Sequence, residues 1–180
     1  MTEHGNGEQF LYIPGKVVSL RSIIASDFEH LKKWWSEPEA NYYDSGDPED
    51  LPTEEYLKNF HKKIGTSDLA NWFIIENGEG VPVGYTNYRA PDFLNGTITI
   101  AIRLGKDFWN KGYGTAATRM LMKHLFDVYA FRKILLSVFQ FNKRAIRVYE
   151  KCGFKKKELR TDEKGRKWLV MEAGRDDFKK

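Results

Sequence analysis

Residues 109–122, WNKGYGTAATRMLM, place two glycines around one tyrosine, with Lys111 just before them and a helical pattern after them. An alternating strand pattern, TITIAIRL at 97–104, comes first. Backbone N–H groups on so pliable a turn, at a helix start, can hold an anion. Three chemistries compete for the turn. A phosphate loop of the nucleotide-hydrolase kind needs Lys after its last glycine and then Ser or Thr. Here Lys111 precedes Gly112, so that reading fails. GYGTAA does match the G-x-G-x-x-A form of a dinucleotide fingerprint. However, KDFWN separates it from the strand, and KILLSVFQFN (133–142) offers no acid for a ribose. The third reading is a pyrophosphate cradle, with successive N–H groups around one point and Lys111 beside it. Against all three stands an ordinary strand-to-helix turn that uses glycine for tightness.

The elements that would position this turn follow from periodicity. KVVSLR (16–21) reads as a strand. ASDFEHLKKWWS (25–36) reads as a helix, with Ser26 and Glu29 at capping-box spacing and Phe28, Leu31 and Trp35 on one face. Pro38 is expected to end it, and 38–52 to be a loop by its Pro, Gly, Asn and Asp content. A second helix starts near Thr53, gathers Tyr56, Leu57, Phe60 and Ile64, and ends at Gly65. NWFIIEN (71–77) and VPVGYTNYR (81–89) form a hairpin pattern about the turn GEG. In 97–104, Ile98, Ile100, Ile102 and Leu104 share one face, opposite Thr97, Thr99, Ala101 and Arg103. Ala117, Met120, Leu121, Leu125 and Val128 make the stripe of the helix after the glycines. KILLSVF (133–139) reads as a buried strand. NKRAIRVYEKCGF (142–154) is a short helix stopped by Gly153, and a last hairpin follows. The sum is a mixed α/β (α+β) domain with a single sheet of about seven strands and about four helices.

A chain of 180 residues suits one domain, and it carries one cysteine, so it holds no internal disulfide. That usage fits a reducing, cytoplasmic compartment. No apolar run approaches the ~18 residues of a membrane helix, and MTEHGNGEQ reads as a frayed start without a signal peptide's apolar region. Residues 1–100 carry 8 Lys/Arg against 16 Asp/Glu, a balance of −8, and residues 101–180 carry 21 against 9, a balance of +12. A basic half suits an anionic partner and an acidic half a cationic one; two solvated faces that neutralise each other are the plainer account. His4, His30, His61 and His124 show no metal-ligand spacing, and no metal is assigned.

FWNKGYGTAATRMLMKHLF, followed by KILLSVFQFNKRAIRVYEKCGF, resembles the GNAT superfamily of acetyl-CoA-dependent N-acetyltransferases. Asn110, Gly112 and Gly114 stand at its Q/R-x-x-G-x-G/A signature. Asn142, Arg144, Ala145, Ile146, Tyr149, Glu150, Lys151, Gly153 and Phe154 match its second block. The opening LRSIIASDFEHLKKWWSEPEANYY (20–43) is similar to the branch of ribosomal-protein N-terminal, spermidine and some aminoglycoside acetyltransferases. The resemblance implies one N-acetyltransferase domain over 16–175 behind a disordered or loosely attached N-terminus at 1–15. It implies a sheet splayed between 97–104 and 133–139, with the thioester of acetyl-CoA in the gap. The backbone of Ile102 and Leu104 would meet the pantetheine arm. Asn110, Lys111, Gly112, Tyr113, Gly114 and Thr115 would hold the diphosphate, with Asn142 and Ala145 on the other side. Two departures stand out. Ala116 replaces a frequent Glu, and the central strand has no acid near Thr97, so the general base is unassigned.

Acetyl transfer needs a neutral amine, although an alkylammonium has a pKa of about 10. It also needs a donor at the carbonyl oxygen and a proton for the thiolate. By resemblance Tyr149 supplies that proton; core packing is the alternative. Asn142 either touches the cofactor or only starts its helix. Cys152 suits a small buried hydrophobe better than an acetyl-cysteine nucleophile. Trp35, Glu37, Glu39, Tyr43, Asp44, Asp47 and Asp92 are the acceptor-side candidates, since aromatics and carboxylates suit an amine. The expected acceptor is a protein N-terminal amine, with polyamines and aminoglycosides as alternatives. No membrane or DNA partner is expected, and a homodimer stays open. A different class, a non-catalytic RNA- or ribosome-binding protein, would use KKK (155–157) and KGRK (164–167), and its binding would be steeply salt-dependent.

Overall fold

The apolar run at 72–75 needs cover on both faces, and the structure, a computed structural model describing residues 11–63 and 70–178, provides it. This run lies in β3 (Ala70–Asn77). Phe73 and Ile75 join a core with Val18 and Leu20 of β2 (Val18–Ser22), Ile98 and Ile100 of β5 (Thr97–Leu104), and the stripe Ala117, Leu121 and Leu125 of α4 (Tyr113–Asp127). Ile74 turns the other way, to Leu31, Trp34 and Trp35 of α1 (Phe28–Trp35) and Phe60 of α3 (Glu54–Lys63).

Among the described residues the sheet has eight strands in the order β1-β2-β3-β4-β5-β6-β8-β7. The remaining strands are β1 (Tyr12–Ile13), β4 (Pro82–Asp92), β6 (Lys133–Phe139), β7 (Lys155–Thr161) and β8 (Lys167–Gly174). Every neighbouring pair is antiparallel except β5 and β6, which are parallel. That pair is short, running only from Thr97 opposite Lys133 to Thr99 opposite Leu135. β5 stays paired with β4 up to Leu104, and β6 with β8 up to Phe139. The two strands therefore diverge toward their C-terminal ends, and the expected splay lies where 97–104 and 133–139 part.

Three places differ from the sequence reading. α1 starts at Phe28, behind a 3-10 turn at Ala25–Asp27 that Asp27 closes by accepting from Ile24 N–H at 2.8 Å, in place of the expected Ser26–Glu29 capping box. Tyr12 and Ile13, within the stretch expected to be loosely attached, pair with Arg21 and Leu20. Residues 38–45, expected as loop, form α2 (Pro38–Ser45). Pro38 sits in its first turn, where the missing N–H costs nothing, and Gly46 closes it at φ +77°. Local composition disfavours this helix; buried contacts hold it. Asn41 Nδ2 donates to the Trp35 carbonyl at 2.9 Å. The expected helix end at Ile64 and Gly65 lies outside the described residues, as does the stretch 1–10.

Candidate active site

Between the diverging ends of β5 and β6 lies a cleft of about 510 Å³, within the usual size for a ligand site. Its floor is the edge of β5. Gly105 N–H donates to Val83 O, and Ala101 O accepts from Thr86 Oγ1. Strand alternation therefore turns the backbone of Ile102 and Leu104 away from β4 and toward the gap. Both residues line the cleft. The Leu104 carbonyl is met at 2.9 Å by the indole N–H of Trp109, another lining residue.

One wall is the start of α4. Asn110 (φ +62°) and Gly112 (φ +85°) adopt left-handed backbone, which curls the chain into the helix. A Cβ on Gly112 would meet nothing within 4 Å, so what glycine supplies there is the conformation. The first bond of this turn is Ala116 N–H to Gly112 O. The preceding N–H groups of Tyr113, Gly114 and Thr115 thus lack helical acceptors, and all three residues line the cleft. A Cβ on Gly114 would lie 3.6 Å from Leu104 Cδ1 and 3.8 Å from Val148 Cγ1, so a longer side chain would grow into the gap.

The opposite wall is α5 (Lys143–Lys151). Asn142 caps it, accepting at Oδ1 from Ala145 N–H at 3.0 Å, and both residues line the cleft. Tyr149 also lines it and is 6% exposed. Burial, with Asp44 and Cys152 nearby, pushes its phenol above the usual tyrosine value. Three cationic side chains of this wall, Arg144, Arg147 and Lys151, face the same space. The Arg144 guanidinium lies 3.3 Å from the centre of the Trp109 indole and 4.9 Å from that of the Tyr43 ring.

The roof is α2, which contributes Ala40, Tyr43 and Asp44. Beneath it Arg103 is 8% exposed. Its Nη1 donates to Asp44 Oδ2 at 2.9 Å and its Nη2 to Asn41 Oδ1 at 2.6 Å and to the Trp34 carbonyl. The Asp44 side chain lines the cleft and is 44% exposed. Burial raises its pKa, and the Arg103 and Arg144 charges oppose that rise.

The other sequence candidates lie outside this cleft. Lys111 Nζ sits 5.6 Å over the Phe108 ring. Trp35 belongs to the second core cluster and donates its indole N–H to Tyr85 Oη at 2.9 Å. Glu37 accepts from Lys106 N–H at 3.0 Å, and Glu39 pairs with Lys106 Nζ at 2.6 Å. Asp47 accepts from Glu49 N–H at 2.9 Å. Asp92 caps Asn95 and sits opposite Thr97, at the far end of β5 from Leu104; seven strand residues span about 23 Å. Cys152 is fully buried and its thiol is pushed up to about 11 by desolvation, the reverse of what a nucleophile needs. Burial also lowers the His124 pKa, and no metal-ligand group occurs among the described residues. Sequence reasoning passed over Arg103, Trp109, Arg144, Arg147 and Lys151 as lining residues. The lone charge in TITIAIRL was the available signal for Arg103.

The cleft's chemistry fits acetyl-CoA: free N–H groups at a helix start and basic side chains suit its phosphates. The open edge of β5 suits an extended amide-bearing arm. Comparisons with known proteins agree. The family model described as an acetyltransferase (GNAT) domain matches residues 18–155. A relative named uncharacterized N-acetyltransferase p20, from Bacillus licheniformis, is 26% identical over 147 residues, covering 81% of this chain and 83% of its own. A probable spermine N(1)-acetyltransferase from Bacillus subtilis subsp. natto is 34% identical over 82 residues, 42% of this chain and 54% of its own. Among solved structures, a spermidine N-acetyltransferase from Vibrio cholerae, in complex with CoA and spermine, superposes with a TM-score of 0.81 at 16% identity, over 91% of this chain and 98% of its own. AAC(6')-Ib, in complex with an aminoglycoside and acetyl-CoA, superposes with a TM-score of 0.75 at 24% identity, over 89% and 95%.

Proposed function

This chain belongs to the GNAT acetyltransferase family, and on that premise we propose that it acetylates a primary amine of a small polyamine in the cleft between β5 and β6. The observation that carries this reading is one continuous cleft bearing the free N–H groups of α4, the open edge of β5, Tyr149 and Asp44. Acetyl-CoA supplies the activated acetyl group. The chain's own residues divide the remaining work. The N–H groups from Tyr113 to Thr115, with Arg147 and Lys151, bind the phosphates. The N–H groups of Ile102 and Leu104 on the strand edge align the arm and offer a donor for the carbonyl oxygen. Tyr149, kept neutral by burial, holds a proton for the departing sulfur. Asp44 is the acceptor-side acid.

A polyamine is preferred to the protein N-terminal amine first expected because the relatives matched over parts of the chain carry spermine or spermidine in their names. A cytoplasmic site of action belongs to the same proposal. A competition assay with spermidine, a peptide bearing a free N-terminus and an aminoglycoside tests the choice. Spermidine is expected to show the highest kcat/KM. A peptide preferred over spermidine would restore the protein N-terminal reading.

A further inference from the structure

Arg103 is the one charged side chain on β5, and it is nearly buried beneath α2. A guanidinium taken from water must be held by good partners to persist. Arg103 gathers three: Asp44 Oδ2, Asn41 Oδ1 and the Trp34 carbonyl. Asn41 is itself fixed by its bond to the Trp35 carbonyl. The end of α1, the middle of α2 and the end of α2 are thereby clamped to the central strand. The result is a carboxylate in a set position. Asp44 Oδ2 is engaged, while Oδ1 accepts no hydrogen bond among the described residues and the side chain remains open to the cleft.

No acid stands on β5 to take a proton from the acceptor. Of the five acids flanking the acceptor side, only Asp44 lines the cleft, and Glu37 and Glu39 are turned to Lys106. The charged and titratable groups that face Asp44 are Arg103 from β5, Arg144 and Tyr149 from α5, and Tyr85 from β4. Asp44 and Tyr149 both line the cleft, Asp44 from the roof and Tyr149 from the α5 wall.

We propose that Asp44 binds the acceptor's ammonium and takes its proton, and that Arg103 is the positioning residue that holds this carboxylate for the task. The proposal rests on the amine-acetylation reading above. One N–H bond of the ammonium breaks and its proton passes to Asp44. The freed lone pair forms the N–C bond as the C–S bond breaks. The sulfur takes the Tyr149 proton, a second nitrogen proton restores Tyr149 through water, and Asp44 releases its proton to solvent. The sum is an acetamide, a free thiol and one proton. A carboxylate beside the ammonium favours its charged form, so the proton leaves Asp44 for solvent as the neutral amine attacks, and a moderate rather than tight ion pair serves the reaction.

The test compares Asp44→Asn, Arg103→Lys and wild type in kcat/KM for spermidine from neutral pH to about pH 10, alongside calorimetric acetyl-CoA affinity and melting temperature. Asp44→Asn is expected to lose about 10²–10⁴-fold near neutral pH with acetyl-CoA affinity unchanged. Its deficit should shrink as pH nears the amine pKa of about 10, where solution supplies neutral amine. Arg103→Lys keeps the charge but loses the planar fork. It should lose less, with the acid limb moved to higher pH, because a poorly held Asp44 is less depressed by its cation. A pH-independent deficit, wild-type activity in Asp44→Asn, or a parallel loss of acetyl-CoA binding would overturn the proposal. Wild type that neither binds acetyl-CoA nor acetylates any amine would overturn this and the reading beneath it.

Discussion

Tyr149→Phe isolates a single oxygen. The ring stays packed against Phe154, 5.8 Å away between ring centres, so folding and acetyl-CoA affinity should hold. Turnover on a substrate whose chemical step limits the rate should fall about 10²–10⁴-fold. Because the phenol is pushed upward from its ordinary value of about 10, its protonated, donating form extends further into alkaline pH. Deprotonation of Tyr149 should therefore set no basic limb below about pH 10, and stopped assays across that range can check it. A Phe variant with wild-type turnover would return Tyr149 to the core. Tyr149, Asn142 and the glycine turn were legible because each sits in a compact sequence block. Arg103 and Asp44 were harder to read: they lie 59 residues apart, and only the fold brings a strand cation to the end of a helix. Asp92 and Asp44 looked equivalent as acids near aromatics; strand register separates them by the length of β5.

At the scale of elements, the turn into α4 and the strap made by α2 carry different risks. Gly112→Ala forces a side chain into left-handed backbone, at about 1–2 kcal/mol. Gly114→Leu fills the space beside Leu104 and Val148. Both should weaken acetyl-CoA binding, Gly114→Leu to below detection, in a calorimetric titration of folded protein; unchanged affinity in both would remove the turn from the binding site. A separate lock sits on β2. Arg21 holds Asp27 through two bonds of 2.6 and 2.8 Å and reaches Glu76 at 2.6 Å. Arg21→Met would leave Asp27 buried without its cation, and denaturant melts should show a loss of about 3–5 kcal/mol. A loss under 1 kcal/mol, about what a surface pair contributes, would mean that the pair is solvated. Periodicity made most of these elements readable, since alternation and 3.6-residue spacing report which face is covered. It missed α2 because PEANYYDS has weak amphipathic patterning and turn-like composition; long-range bonds to Asn41 and Asp44 decide that helix.

Across the whole molecule the charge split follows the sheet. The acidic first hundred residues build β1 to β4, α1 to α3 and the first half of β5, the basic remainder builds the rest of β5 and α4 to β8, and the cleft opens at their seam. Ion pairs cross the seam, among them Arg103 with Asp44 and Lys106 with Glu39. In the basic run 155–157, Lys155 forms an exposed ion pair with Asp177, Lys156 with Glu150 and Lys157 with Glu172. Among the described residues the cleft holds one acid, Asp44, against Arg103, Arg144, Arg147 and Lys151, which suits an anionic cosubstrate. Replacing Arg147 and Lys151 together by Gln should raise the acetyl-CoA KM. That penalty should narrow with added salt, since screening acts within ~10 Å at 0.1 M; a salt-independent KM would remove these cations from phosphate binding. The central claim is that a polyamine receives an acetyl group from acetyl-CoA in this cleft. Its most direct measurement follows label from acetyl-[¹⁴C]-CoA into spermidine while titrating the thiol released. Label in N-acetylspermidine is expected to equal the thiol released, with both lost in Gly114→Leu. Thiol release without labelled spermidine, or labelling that survives Gly114→Leu, would contradict it.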